Sequence, residues 1–237
     1  MNGNVIQIEW LEIGIALLPM TLVIGILFAW SGRGWTATYS VARMLVQLIV
    51  IGYFLVFIFN ATDAWIICAV LAVMLLVASW ISLGPVSEVR FRLYPSVLLA
   101  LTVGGGLVLF TVTVGVLHLD PWYQPRYMVP LAGMIFANSM NTVSIAAERF
   151  ESELSHDHSA EKSKRIAFHA GMIPVINSMF AVGLVALPGM MTGQILSGVS
   201  PLIAARYQIV VMAMLFAASG LSAAIYLQLV SRSVGSR

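Results

Sequence analysis

Long apolar stretches recur along the whole chain of 237 residues and are separated by short polar segments. A helix needs about 20 mostly apolar residues to cross the hydrocarbon core of a bilayer. Seven stretches approach or exceed that length, and each predicts a membrane-spanning helix. They are Trp10 to Trp30, Val41 to Phe59, Ala64 to Leu83, Ser96 to Leu117, Tyr127 to Ala147, Gly171 to Met191, and Tyr207 to Val230.

The sixth stretch is less regular than the others. Pro174, Pro188 and Gly189 interrupt it, and these residue types break or bend helices. Two interpretations are therefore open at this point: the stretch crosses the membrane, or the residues from Met190 to Ser200 dip into it without crossing.

Composition supports the same class of protein. Hydrophobic residues make up 60% of the chain and charged residues 9%, whereas a soluble domain is about half apolar and a quarter charged. We therefore predict an all-α, polytopic integral membrane protein, in which residues 1–237 form a single transmembrane domain and the first span is retained. The lipid bilayer is an expected partner, and nucleic acid is not, because nucleic-acid-binding modules are strongly charged.

Lysine and arginine residues are distributed unevenly between the predicted spans. Cytoplasmic segments are enriched in these residues, so the side that carries most of them is predicted to be cytoplasmic. Arg126 and Arg206 fall on one side, which we predict to be external together with the N-terminus. The other ten fall on the side of the C-terminus: Arg33, Arg43, Arg90, Arg92, Arg149, Lys162, Lys164, Arg165, Arg232 and Arg237.

Several polar residues lie within or near the predicted spans. Unpaired amides are costly in hydrocarbon, so these side chains are expected to face other helices or a wet cavity. Two interpretations remain open, a polar translocation surface or hydrogen bonds that join helices. The candidates are Arg43, Gln47, Asn138, Asn141, Asn177 and Gln194.

Thirteen methionines are present, and Met179, Met190 and Met191 lie in or beside the sixth stretch. Their thioethers are either adaptable packing groups or soft ligands that contact a soft metal ion transiently. No concentrated histidine and carboxylate cluster occurs in the spans, so the sequence assigns no metal ligands. It also contains no paired nucleophile and base and no phosphate-binding loop, so no catalytic residues are predicted.

Four short motifs resemble a known family. The motif Pro-Gly-Met-Met-Thr-Gly-Gln at 188–194 is similar to the signature of the FetB-type (YbbM-like) permeases of ABC transporters. Three further motifs resemble that family, and the similarity spans essentially the whole chain. They are Arg43-x3-Gln47-Leu48-x3-Gly52, Asn138-Ser139-Met140-Asn141, and Ile176-Asn177-Ser178-Met179.

This resemblance implies a permease subunit of the plasma membrane or bacterial inner membrane that exports a metal ion, iron or another metal. Plant relatives of the family are linked to aluminium tolerance. The resemblance also implies a permease homodimer and two copies of a cytoplasmic ATP-binding subunit. ATP and magnesium would bind that partner, and this chain would bind no cofactor of its own.

The predicted cytoplasmic segment 148–169 is the expected contact with the ATP-binding subunit. It mixes charged and apolar residues, which is typical of short helices that lie on a membrane surface. Phe150 and Leu154 are expected to act as apolar anchors on the partner. The full set of coupling candidates is Glu148, Phe150, Glu151, Leu154 and Arg165.

Two other function classes compete with the permease subunit. An autonomous channel or secondary carrier is disfavoured because ionisable groups are absent from the middle of the spans. A membrane enzyme or scaffold is disfavoured because no catalytic constellation is present.

The basic-residue asymmetry predicts the topology. A reporter fused after Arg237 should be cytoplasmic and one fused at Met1 external, because ten of the twelve lysines and arginines fall on the C-terminal side. Paired cytoplasmic and external reporter fusions measure both ends, and a cytoplasmic N-terminus would contradict the seven-span arrangement.

Overall fold

The computed structural model describes residues 8–32, 34–61 and 63–235, and these residues are almost entirely helical. No β-strand occurs among them; one isolated bridge joins Val182 and Ala186. The chain divides into two compact units, Met1–Ala61 (unit 1) and Thr62–Arg237 (unit 2). Arg33, Arg237 and Met1, which entered the topology prediction, lie outside the described residues.

Unit 1 is a pair of helices, α1 (Trp10–Ser31) and α2 (Gly34–Phe59), which contact each other. A capping box starts α1, because the backbone N–H of Glu9 donates to the Glu12 carboxylate at 2.9 Å. Gly32 ends the helix in a left-handed conformation, with φ 65°. Large apolar side chains along both helices are exposed, as lipid-facing residues are.

The described residues of unit 2 contain seven α-helices. Between α4 and α5, and again after α5, the helix continues as π-helix over residues 101–105 and 111–116, so residues 90–116 form one continuous rod. The helices are α3 (Ala64–Ser82), α4 (Arg90–Ala100), α5 (Gly106–Phe110), α6 (Pro125–Ser155), α7 (Ala160–Ala181), α8 (Gly189–Leu196) and α9 (Pro201–Gly235).

Helix α6 lies at the centre of unit 2 and contacts α3, α7 and α9. Small residues allow these helices to approach closely, which is the usual packing mode between helices in lipid. A Cβ atom at Gly171 of α7 would lie 2.8 Å from the Thr142 carbonyl oxygen of α6. A Cβ atom at Gly104 would lie 2.7 Å from the backbone nitrogen of Ser222 on α9.

Side-chain contacts define two ends of unit 2. At the first, called the basic end, Arg92 of α4 pairs with Glu151 of α6 at 4.0 Å, and Lys164 of α7 donates to Gln228 of α9 at 3.2 Å. The start of α6, the start of α9 and the end of the 90–116 rod meet at the opposite end. Helices α6 and α9 therefore run towards the basic end, whereas α7 and the 90–116 rod run away from it.

Six helices in the described part of the chain are long and apolar enough to cross a membrane, and they correspond to six of the seven predicted spans. They are Trp10–Ser31, Gly34–Phe59, Ala64–Ser82, Ser87–Val116, Pro125–Ser155 and Pro201–Val234. The all-α, polytopic class is thus confirmed.

The predicted sixth span, Gly171 to Met191, is not one helix. Helix α7 begins at Ala160 and ends at Ala181, and a loop leads to the short α8. The left-handed Gly183, with φ 83°, and Pro188, which lacks a backbone N–H, explain the break. The chain still returns from the basic end to the opposite end between α6 and α9, through α7, this loop and α8.

The 148–169 segment also differs from expectation. It forms no separate short helices on a surface; instead its first part is the end of α6 and its second part is the start of α7. Helix-forming residues carry α6 on to Ser155, and the turn forms where Asp157 adopts a left-handed conformation, with φ 58°. Ser159 caps α7 by accepting the N–H of Lys162 at 3.4 Å.

The α6–α7 contact makes a stability prediction. Gly171→Ala should lower the thermal unfolding midpoint of the purified protein in detergent, because overpacking costs about 1–3 kcal/mol and here the added methyl meets backbone. Gly106→Ala is the matched control, since no atom lies within 4 Å of the position that its added methyl would take and alanine favours a helix by about 0.5–1 kcal/mol. Equal midpoints for the two variants would contradict the close packing.

Candidate functional site

A cavity of about 690 Å³ lies in unit 2, bounded by α6, α7, the 182–188 loop, α8 and α9. A volume of this size suits a small-molecule site. Most lining groups are apolar, and no lining residue carries a carboxylate, an imidazole or an ammonium group. The polar lining residues are Asn138, Asn141, Thr142, Ser144, Ser178 and Gln208, and the thioethers are Met134, Met190 and Met212.

The helical repeat explains how α6 and α9 supply these groups. Met134, Asn138 and Asn141 follow one another at intervals of four and three residues, which places them on one face of α6. Gln208 and Met212 are four apart on α9 in the same way. A thioether and an amide are therefore neighbours on each of these two helices.

The side-chain amides in the cavity wall differ in their hydrogen-bond partners. The Nδ2 atom of Asn138 donates to the Met134 carbonyl at 2.9 Å, one turn back in its own helix. Gln208 is buried, yet its Oε1 atom has no hydrogen-bond partner among the described residues. A buried acceptor without a partner costs free energy, so this oxygen is suited to accept a hydrogen bond from a solute or water in the cavity.

A second cavity of about 220 Å³ lies next to the first, at the end of unit 2 opposite the basic end. Arg126, Tyr127 and Tyr207 contribute to its walls. Met134, Met190 and Val211 line both cavities and therefore lie between them.

The structure brings three of the predicted path residues to the larger cavity, namely Asn138, Asn141 and Met190. The remaining candidates of unit 2 do not line it; they are Asn177, Met179, Met191 and Gln194.

In unit 1, Arg43 and Gln47 lie one turn apart on α2 with exposed side chains. Nothing in the described residues of unit 1 pairs with either side chain.

Sequence analysis missed Gln208, Ser178, Met134 and Met212 as lining residues. Gln208 could have been predicted by the criterion that selected Gln47 and Gln194, because it is also an amide inside a predicted span. No pattern in the sequence distinguished the two methionines from packing residues.

The α6–α7 turn at the basic end is held by charge pairs. Glu153, with a side chain only 8% exposed, pairs with Arg149 and with His158, each at 2.5 Å. The exposed Glu161 pairs with Lys164 at 2.7 Å and with Arg165 at 3.3 Å. The hydrogen bond and charge of Lys164, together with Arg165, lower the pKa of Glu161, so this carboxylate stays ionised to a lower pH than a free glutamate does.

The predicted coupling residues are placed differently from one another. Glu148 and Arg165 are exposed, Leu154 is half-buried, and the half-buried Glu151 pairs with Arg92. Phe150 is fully buried, with no exposed surface, so its assignment as an exposed anchor is corrected. Because α6 continues through this region, Phe150 falls on the face of that helix that packs into unit 2.

A bundle of long apolar helices around a neutral cavity defines a class, the multi-pass helical membrane proteins. Residues 10–234 match the family described as "Uncharacterised protein family (UPF0014)", and the chain belongs to that family. No solved structure matches the chain.

Three relatives illustrate the family. A UPF0014 membrane protein of Synechocystis is 33% identical, covering 94% of this chain and 92% of that protein. "Probable iron export permease protein FetB" of Escherichia coli is 30% identical, covering 94% and 90%. "Protein ALUMINUM SENSITIVE 3" of Arabidopsis thaliana is 34% identical, covering 78% and 71%. The resemblance found in the sequence motifs is thereby confirmed, because the relatives of this chain include a protein named FetB.

The buried carboxylate of Glu153 makes a second stability prediction. Glu153→Gln should lower the thermal unfolding midpoint, because the neutral amide cannot form the ion pairs with Arg149 and His158 that hold the buried side chain of residue 153 in place. Glu161→Gln is the control, since its pairs are exposed and contribute little. Thermal unfolding in detergent measures both, and a larger effect at Glu161 would show that Glu153 does not hold the turn.

Proposed function

We propose that this chain is the membrane-spanning permease subunit of an ABC transporter that exports a metal ion, iron or another metal. The observation that carries the proposal is the neutral cavity between α6, α7, α8 and α9, with Asn138, Asn141 and Met190 in its walls. Membership of a family that includes a protein named as an iron export permease supports it.

The energy source in this proposal is a separate protein. The sequence has no Gly-x4-Gly-Lys-Ser/Thr loop, which is the element that cradles nucleotide phosphates in such motors. ATP and magnesium would therefore bind a cytoplasmic ATP-binding subunit. Two copies of that subunit would act on a homodimer of this chain, and this chain would bind no cofactor.

The ATP-binding subunit would dock on the α6–α7 turn at the basic end of unit 2. Exposed Glu148 and Arg165 would supply charged contacts, and the half-buried Leu154 an apolar one. Phe150 would transmit movement of the turn, because it is packed inside unit 2. The basic end would then lie in the cytoplasm, as the distribution of lysine and arginine predicts.

Transport would follow from two conformations of the permease whose cavities open to opposite sides. Nucleotide binding on the partner would shift the balance between them, and the solute would bind the two with different affinities. The 182–188 loop would permit such a change, because this part of the cavity wall is not a helix. Val182, Ala186 and Pro188 of the loop line the cavity.

The amide pair of α6 provides the test. Asn138→Leu/Asn141→Leu should reduce ATP-driven metal efflux at least tenfold in vesicles that contain the chain and its ATP-binding subunit. Leucine is cheaper than asparagine in lipid, so the variant should still insert. Efflux of Fe²⁺ and of other metal ions from loaded vesicles measures transport, and protease protection measures insertion.

Asn177→Leu is the matched control, because Asn177 lies on α7 without lining the cavity. Normal efflux by the α6 double variant would identify its amides as contacts between helices and contradict the proposed path. Efflux by the chain without its ATP-binding subunit would instead support an autonomous channel or carrier.

A further inference from the structure

Thioethers occupy the boundary between the two cavities of unit 2. Met134 of α6 and Met190 of α8 line both cavities, and Met212 of α9 lines the larger one. These residues come from three different helices that are far apart in sequence. A solute that moves from the larger cavity towards the end opposite the basic end would therefore pass Met134 and Met190, with Val211 beside them.

The other lining groups define what kind of ion this boundary would accept. Neither cavity is lined by a carboxylate, an imidazole or a thiol. In the described part of the chain, no group of three histidine, cysteine, aspartate or glutamate residues is placed to hold a metal. Hard divalent cations prefer carboxylate and carbonyl oxygens, whereas thioethers select soft ions such as Cu(I).

We propose that Met134, Met190 and Met212 form a binding site for a soft monovalent metal ion of the Cu(I) class. The inference rests on the proposed transport function and specifies the class of its substrate. Binding is a ligand exchange, in which each sulfur donates a lone pair in place of the ion's previous ligand. The oxidation states of metal and sulfur do not change.

The arrangement suits transfer as well as binding. Neutral thioethers hold a soft cation without the strong electrostatic attraction of thiolates, so the ion can leave again. The buried Oε1 atom of Gln208, four residues before Met212, has no hydrogen-bond partner in the described residues. It is available to orient a water or a ligand that accompanies the ion.

Silver(I) is the probe, because it has the coordination preferences of Cu(I) and is not readily oxidised. The full chain is purified in detergent with Cys68→Ser, since Cys68 is an exposed free thiol and would bind silver itself. We expect one tightly bound Ag(I) per chain, with a sulfur shell in X-ray absorption. Met134→Leu/Met190→Leu should weaken the affinity at least tenfold.

Met172→Leu/Met214→Leu is the matched control, because both thioethers are buried and line neither cavity. Leucine replaces methionine with little change in volume, so the control pair should fold and bind silver as the parent does. If the cavity pair unfolds, Met190→Leu alone, at a half-buried position on α8, should weaken the affinity at least threefold. Equal affinities in the cavity and control variants would overturn the proposed site.

Separate outcomes distinguish this site from the transport function. Efflux of Fe²⁺ by the complete transporter that is unaffected by Met134→Leu/Met190→Leu, together with no silver site, would overturn the thioether site and leave the permease function intact. A silver site that depends on these methionines, in a transporter that moves no metal ion with ATP, would support the site and contradict the export function.

Discussion

Close contact between α6 and its neighbours is the interaction on which unit 2 depends. Lipid tails are as apolar as leucine, so helices in a membrane gain little from hiding apolar side chains and associate through tight packing instead. Gly171 against Thr142 and Gly104 against Ser222 give that packing its closest approaches. These two contacts tie α7 and the 90–116 rod to the pair α6 and α9, and they leave little freedom in how the four elements are arranged.

The cavity exists where this packing stops. Helix α7 runs beside α6 until Ala181, and the chain then turns through Gly183 and reaches α8 after Pro188. Val182, Ala186 and Pro188, which follow the end of α7, line the cavity together with Asn138 and Met134. The same backbone break therefore ends the tight contact, opens the space and supplies several of its walls.

Much of this fold could be predicted from hydropathy alone. Six of the seven spans predicted from apolar length match long apolar helices, and the Asn138 and Asn141 pair was selected because amides in a span need partners. The ends of the sixth span could not be predicted in the same way. Hydropathy measures how favourably a segment transfers into lipid, and it does not indicate where a glycine such as Gly183 turns the backbone. Phe150 was misplaced for a related reason: charge around it suggested a surface, and only the packing of α6 shows which face it occupies.

The π-helical residues of the 90–116 rod have a consequence for how that rod presents its side chains. An α-helix turns about 100° per residue, and a π turn accommodates one extra residue in a single turn. In an uninterrupted α-helix, the residues after 101–105 would point in a different direction. The π turn rotates them about the helix axis by about 100° from that direction. Leu109 and Val112 are buried with this rotation in place. The rotation therefore keeps Leu93 and Val97, before the π turn, on the same buried face as Leu109 and Val112, after it. A single-residue deletion within 101–105 would remove the rotation and turn the second half of that face towards lipid.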